Sequence, residues 1–313
     1  MIHKISVRQA YAMLVVTQFL WASALIVARG VHEELPPIAF SFWRWVAAVA
    51  LMSPLALPLL KGAWPDVKTK FAKIFSLGCF LALGSTGLIW AVQFTTATNA
   101  SLVAACQPIV TAMVAWAILK DRLNLLQLIG VIAALSGVAV MVSRMQLDVI
   151  LGLSFNPGDA IMLAAVCCYA FYTVNLHRWL SGTHPLLMLF LAALTGTLVL
   201  IPFTIAEAAM VGTMTISWRT IGAILFMALV PTMLATTMWN AALGVVGPNK
   251  ATIFMNLLPI FGILLGVALL DELLFRYHLV GAALVCAGIS LMVKGHKALL
   301  FGFRSTLVKL KSG

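Results

Sequence analysis

The polar and aromatic side chains that interrupt the apolar stretches of this chain are few and of one kind. Trp21, Trp90, Tyr169, Tyr172 and Trp239 lie inside apolar runs, away from the run ends where interfacial aromatics usually sit. Gln107, Asn175, Asn240 and Asn256 place uncharged amides in the same surroundings. An amide facing hydrocarbon is costly, so each must face protein or water, through a helix–helix hydrogen bond or through contact with a bound solute. Tyr169 and Tyr172 are three residues apart, as are Gln18 and Trp21, so each pair shares one helix face. Aromatic walls with a few amides suit an amphipathic or aromatic organic solute and could hold a cation by cation–π contact; bulky packing is the competing use. The candidate cavity is therefore Trp21, Trp90, Gln107, Tyr169, Tyr172, Trp239, Asn240 and Asn256. Arg44, about two turns into its run, either snorkels to an interface or holds a carboxylate. Pro108 and Pro259 fall near the middle of their runs, where a proline frees a carbonyl one turn back. Each is a hinge candidate, or a broken segment that presents backbone polarity to the cavity, or else a structural kink.

Covalent chemistry finds no support in the same residues. His3, His32, His177, His184, His278 and His296 all lie near run ends or in connectors, and every Asp and Glu sits at or near a helix end. No phosphate-binding loop is present, so ATP hydrolysis is unsupported. Cys79, Cys106, Cys167, Cys168 and Cys286 lie inside apolar runs without metal-ligand spacing and read as small apolar fillers. No metal and no cofactor is expected. A membrane-embedded enzyme or a sensor remains the alternative from a different class, but it lacks a buried polar cluster or a sizeable soluble domain.

The elements that must position these residues follow from composition. Of 313 residues, 63% are hydrophobic and 9% charged, against about 25% charged in a soluble domain. Apolar runs cover roughly 10–28, 38–60, 72–93, 99–119, 124–143, 159–177, 185–206, 219–244, 249–270 and 277–294, each about long enough for a 30 Å hydrocarbon core. Turn chemistry such as Pro36-Pro37, Asn156-Pro157-Gly158 and Gly247-Pro248-Asn249 separates them. Only helices satisfy their backbone in lipid at this length. The formal charge of +11 sits in short connectors and reads as a topology and lipid-headgroup signal rather than a nucleic-acid surface. With the N-terminus in the cytoplasm, fifteen Lys and Arg fall inside and four outside. Both termini are then cytoplasmic. Lys4 and Arg8 before an apolar run and Ala22-Ser23-Ala24 resemble a signal peptide, yet the second half keeps a counterpart of this helix, so it is expected to stay uncleaved.

Residues 98–143 overlay 249–294 without a gap, 151 positions later. Ala100 falls on Ala251, Pro108 on Pro259, Gly130 on Gly281, Gly137 on Gly288 and Asp121 on Glu272. The glycines, seven apart on one face, read as close-packing positions. Asp121 and Glu272 read as ion pairs at helix ends, beside Lys120, Arg122 and Arg276. Trp21 aligns with Tyr169 and Pro37 with Pro185 at an offset of 148. Five helices per half is odd, so the second half enters from the opposite side: an inverted repeat, the mark of a transporter of two related halves. The expected fold is an all-α membrane protein of ten transmembrane helices in two inverted five-helix repeats, 10–143 and 159–294. A basic cytoplasmic tail, 295–313, follows, interfacial or without fixed structure.

With Trp21-Ala22 and Tyr169-Ala170 in the two first helices, Phe42-Trp43-Arg44, Ala91-Val92-Gln93-Phe94 and the paired proline–acid–glycine segments, the chain resembles the drug/metabolite transporter superfamily, EamA type. The resemblance covers about residues 10–294. It implies a ten-helix basket whose helices one to four and six to nine line a central cavity. It also implies a secondary transporter of small organic solutes in a bacterial cytoplasmic membrane, exporting amino acids or related metabolites. Efflux of drugs or toxic cations is the alternative within that class. Small multidrug resistance relatives carry a glutamate in their first helix for proton coupling; here that helix has no acid. Membrane lipid is a second partner, the coupling ion stays open, and so does the choice between monomer and homodimer.

Overall fold

The computed structural model describes residues 5–30, 34–91, 93–95, 97–152, 156–180, 183–270 and 273–311. Among the described residues there is no strand. Helix α1 spans Val7–Gly30, α2 Pro37–Thr69, α3 Phe71–Ala91, α4 Ala97–Ala105, α5 Gln107–Leu119 and α6 Leu125–Ser143. A short α7, Leu147–Leu151, leads to α8 at Pro157–Leu180 and α9 at Pro185–Val211. Then α10, Trp218–Met227, passes through a π-helical stretch, Ala228–Ala235, into α11, Thr236–Val246. Next α12, Pro248–Thr252, runs through a 3₁₀ stretch, Ile253–Leu257, into α13, Leu258–Leu270, and α14 covers Arg276–Lys311. Among the described residues, eight helical stretches are long and apolar enough to cross a membrane, and Gln107–Leu119 is a shorter apolar helix.

The outer surface is apolar where water would not tolerate it. Trp218, Met210 and Leu151 are at least 80% exposed, and most helices carry further bare Leu, Ile and Phe. Exposure on this scale marks a lipid-facing surface. Helix ends are closed by side chains. Asn124 and Gln127 form a capping box at the start of α6, and at the corresponding place before α14 His278 Nδ1 accepts from Phe275 N–H at 3.2 Å. Glu207 from α9 caps α2, its two carboxylate oxygens accepting from Ile38 N–H and Ala39 N–H at 2.9 and 2.6 Å. That places a negative charge on the positive end of a helix. No proline follows Lys294, and the backbone of α14 continues as helix to Lys311.

Packing is mutual between elements of the two sequence repeats. Helix α3 packs along α8 and α9, α1 along α11 and α13, α2 against α9, and α6 against α14. At the α6–α14 crossing the glycines meet one another. A Cβ on Gly130 would lie 2.7 Å from Gly288 O, and one on Gly137 would lie 2.5 Å from Gly281 O. The helices therefore run antiparallel with backbones in contact, a spacing that only a missing side chain permits.

Gly137→Leu is expected to lower unfolding stability in detergent by about 1–3 kcal/mol through overpacking. Gly222→Ala, where nothing lies within 4 Å, should be neutral or slightly stabilising. Equal effects of the two substitutions would show that the crossing is loose.

Candidate functional site

The middle of the bundle is a chain of rings. Trp21 of α1 lies 5.3 Å from Trp239 of α11 between centroids and meets Tyr169 of α8 edge-on at 6.4 Å. Tyr169 meets Tyr172 at 5.9 Å, and the Tyr172 hydroxyl donates to Asn240 Oδ1 at 3.0 Å. Five of the eight residues expected from sequence are thus contiguous. Trp239 and Tyr172 are wholly buried and Tyr169 nearly so; the rings meet one another. Tyr169 takes its place because α3 comes close at Gly84, where a Cβ would lie 3.2 Å from the Tyr169 ring.

Trp21 is held by a feature that went unrecognised in the sequence. The π-helical stretch carries Pro231, and a widened turn leaves carbonyls without their usual partners. Pro231 O accepts from Trp21 Nε1 at 3.0 Å and from Thr236 Oγ1 at 3.1 Å. Thr17 Oγ1 donates to Met13 O at 2.8 Å, with Ala235 O at 3.3 Å as a longer second acceptor. The carbonyl that Pro231 frees, Met227 O, accepts from Thr232 Oγ1 at 2.7 Å. Pro231 itself, inside an apolar run, was the only signal available.

The two paired prolines do not kink continuous helices. The chain breaks at Cys106, and Gln107 and Pro108 open α5. In the second half the 3₁₀ stretch intervenes, and Pro259 is the second residue of α13. A proline in the first helical turn forfeits an N–H that would have no partner anyway. Gln107 is buried and its Nε2 donates to Thr111 Oγ1 at 3.2 Å. Asn256 lies in the 3₁₀ stretch with Nδ2 buried and unpartnered. Both atoms of the Gln18 amide, Trp239 Nε1 and Asn240 Nδ2 are in the same condition. These groups sit on α1, α11 and the 3₁₀ stretch, with α1 packed against both of the others. Asn175 is different: its Nδ2 donates to Phe171 O at 2.9 Å, within its own helix.

Trp90 stands apart from the rings. It is 40% exposed, lies edge-on to Phe94 at 5.7 Å, and lines a groove of about 240 Å³ with residues such as Ile38, Leu83, Ile161 and Phe203.

At the ends of the helices the carboxylates are engaged. Asp121 accepts from Asn249 Nδ2 at 2.8 Å, a residue of the second half, rather than pairing only with its neighbours Lys120 and Arg122 as expected. Lys250 is close enough to sense the Asp121 charge. Together with Arg122, Gln127, Val246 and Gly247 they surround a polar cavity of about 140 Å³. Glu272 lies outside the described residues. Asp159 caps α8: Oδ2 accepts from Asn156 N–H at 3.0 Å and Oδ1 from Thr95 Oγ1 at 2.5 Å. Among the described residues no group of three His, Cys, Asp or Glu is placed to hold a metal ion.

The model of the EamA-like transporter family matches residues 8–143 and 156–294. The chain belongs to that family. An uncharacterized transporter of Bacillus subtilis is 25% identical over 89% of this chain and 92% of its own length. One from Archaeoglobus fulgidus is 28% identical over 90% and 96%. A protein of Salmonella typhimurium described as a probable amino-acid metabolite efflux pump is 25% identical over 94% of each. A crystal structure of a further protein shares the fold at a TM-score of 0.72 and 16% identity, covering 91% of this chain and 97% of that one. This EamA-family chain is therefore an integral membrane transporter and not an enzyme.

The Asp121–Asn249 bond joins the two halves, and a double-mutant cycle measures it. Asp121→Ala and Asn249→Ala together should cost less than the sum of the single losses. A coupling of about 1 kcal/mol is expected, since the carboxylate is partly open to solvent. Strict additivity would remove the bond from the account.

Proposed function

We propose that this protein exports amino acids or related small metabolites by alternating access between two inverted five-helix halves. In this reading residues 10–143 and 159–294 are the halves, ten helices cross a bacterial cytoplasmic membrane, and both termini are cytoplasmic. The observation that carries it is the exchange of contacts between repeat-equivalent residues. Gly130 corresponds to Gly281 and Gly137 to Gly288 in the alignment, and Gly130 packs on Gly288 as Gly137 packs on Gly281. An antiparallel pair with this reciprocity has a two-fold axis perpendicular to both helices, as in an isologous interface. For helices along the membrane normal, that axis lies in the membrane plane. The packing of α3 on α8 and of α1 on α11 obeys the same exchange.

Each half contributes one interrupted helix, opened by Gln107-Pro108 in the first and preceded by Asn256 before Pro259 in the second. Such breaks supply both polar groups at mid-depth and a place for the chain to flex. Pro108 and Pro259 are the hinges of this reading. The substrate region comprises Trp21, Tyr169, Tyr172, Trp239, Asn240, Gln107 and Asn256, with Trp90 at a side groove. The Asp121–Asn249 bond closes one end between the halves and must break when that end opens. The efflux pump of Salmonella typhimurium supports amino-acid metabolites as the first solutes to try.

Purified protein in proteoliposomes, loaded with a panel of amino acids and metabolites, should release one or a few of them faster than empty vesicles. The assay is run with and without a pH gradient. No specific flux of any member would sink the export reading. Topology is tested separately. Asp66→Cys should resist impermeant thiol reagents applied outside intact cells, and Asp148→Cys should react.

A further inference from the structure

Among the described residues Arg44 has no carboxylate for a partner. Its residue surface is 8% exposed, which leaves no route for the guanidinium to snorkel to an interface. It lies seven residues into α2, about 10 Å along the helix from Pro37. Among the described residues its contacts are Ser85 Oγ, accepting from an Arg44 N–H at 3.4 Å, and the face of the Trp45 ring, 5.0 Å from the guanidinium carbon. Its Nε is buried without any partner. A guanidinium offers five N–H donors and stays charged, so one long hydrogen bond and one ring leave most of its valence unused.

Ser41 has the same character. It is one turn before Arg44 on the same face of α2, and its hydroxyl is buried without a partner among the described residues. Gly84, the residue before Ser85 on α3, lies against Tyr169, which brings this polar spot beside the ring cluster. A helix–helix fixture would need no spare donors here, because Ser85 and Trp45 already occupy it.

We propose that Arg44 is the site for the carboxylate of the substrate, with the apolar or aromatic body of the same molecule resting on the Trp21–Tyr169–Trp239 rings. The substrate class is then a small organic acid, amino acids among them, and not a cation lacking an acidic group. A planar carboxylate matches the guanidinium fork in a bidentate pair. Ser41 supplies a further hydroxyl donor. This assignment rests on the transport reading for the identity of the bound molecule as cargo, but binding alone tests it.

The experiment measures thermal stabilisation of the full-length protein in detergent by the twenty common L-amino acids and by benzoate and phenylacetate, each beside its neutral amide. At least one acid should stabilise the protein while its amide does not. Arg44→Gln should weaken the affinity for that acid at least about tenfold, and Arg44→Lys should recover part of it. A merely structural arginine would lower the melting temperature without changing the acid–amide preference. Equal stabilisation by acid and amide, unchanged affinity in Arg44→Gln, or no response to any acid overturns the proposal. If Arg44→Gln does not fold, Arg44→Lys, with the charge kept and the fork lost, should still weaken the acid several-fold, and an unchanged affinity there overturns it equally. Binding of acids without flux in vesicles would overturn the transport reading and leave the Arg44 site standing.

Discussion

Hydrocarbon accepts and donates no hydrogen bonds, so every polar group set free inside this bundle has to be answered from within it. That constraint is met where the π-helical turn at Ala228–Ala235 faces α1: Thr232 Oγ1 donates to Met227 O, the carbonyl that Pro231 frees, and Trp21 Nε1 donates to Pro231 O. With Trp21 held there, Trp239 and Tyr169 have a surface to pack on, and Tyr172 and Asn240 extend it. The aromatic cluster thus rests on a side-chain bond to the neighbouring backbone as well as on ring-to-ring attraction, which contributes only about 0.5–1.5 kcal/mol per pair.

The groups that the protein does not answer are as informative as those it does. Gln18, Asn256 and the Asn240 amide nitrogen are buried and unpartnered around α1, and Arg44 is nearly so beside α2. An unmet donor in a buried site costs about 1–3 kcal/mol, and more for a charged one. Helices that pack as closely as α6 on α14 show that the fold can exclude such groups where it needs stability alone. Retaining them at the centre lowers stability in exchange for a surface whose hydrogen bonds a solute can complete, and whose energy in the empty state is correspondingly high.

Much of this was legible from residue types and spacing. Apolar length, the 151-residue offset and the paired glycines carried the helical architecture and marked Gly130, Gly137, Gly281 and Gly288 as close-packing positions, because close packing leaves a direct trace in composition; that they pack on one another came from the structure. Trp21, Tyr169, Tyr172, Trp239 and Asn240 were legible as a set because large rings and amides at mid-run have few other uses. Three things were not. Trp90 looks the same in sequence as Trp239, yet its rotation about α3 turns it to a side groove. The break at Cys106 and the π-turn at Pro231 escape notice, because proline alone does not say whether a helix kinks, widens or stops. Asn249 reads in sequence as turn chemistry after Gly247-Pro248, and its bond to Asp121 comes from the other half of the chain.

The placement of carboxylates bears on how such a site could be emptied. Glu207 and Asp159 are committed to the first turns of α2 and α8, Asp121 to Asn249, and Glu34 to Arg219 at 3.2 Å. Each is at or near a helix end, and all four join the sequence halves, Asp159 through Thr95. Opening one end of the bundle therefore disturbs a carboxylate contact at that end, whereas the centre holds amides, rings and one arginine among the described residues. Charge at the centre then has to arrive with the solute. An acid entering opposite Arg44 would neutralise the buried cation, and the neutral pair crosses the closed state at less electrostatic cost than either partner alone. The cost of returning the bare guanidinium through that closed state falls on the empty protein, so exchange of one acid for another should be intrinsically easier than net release.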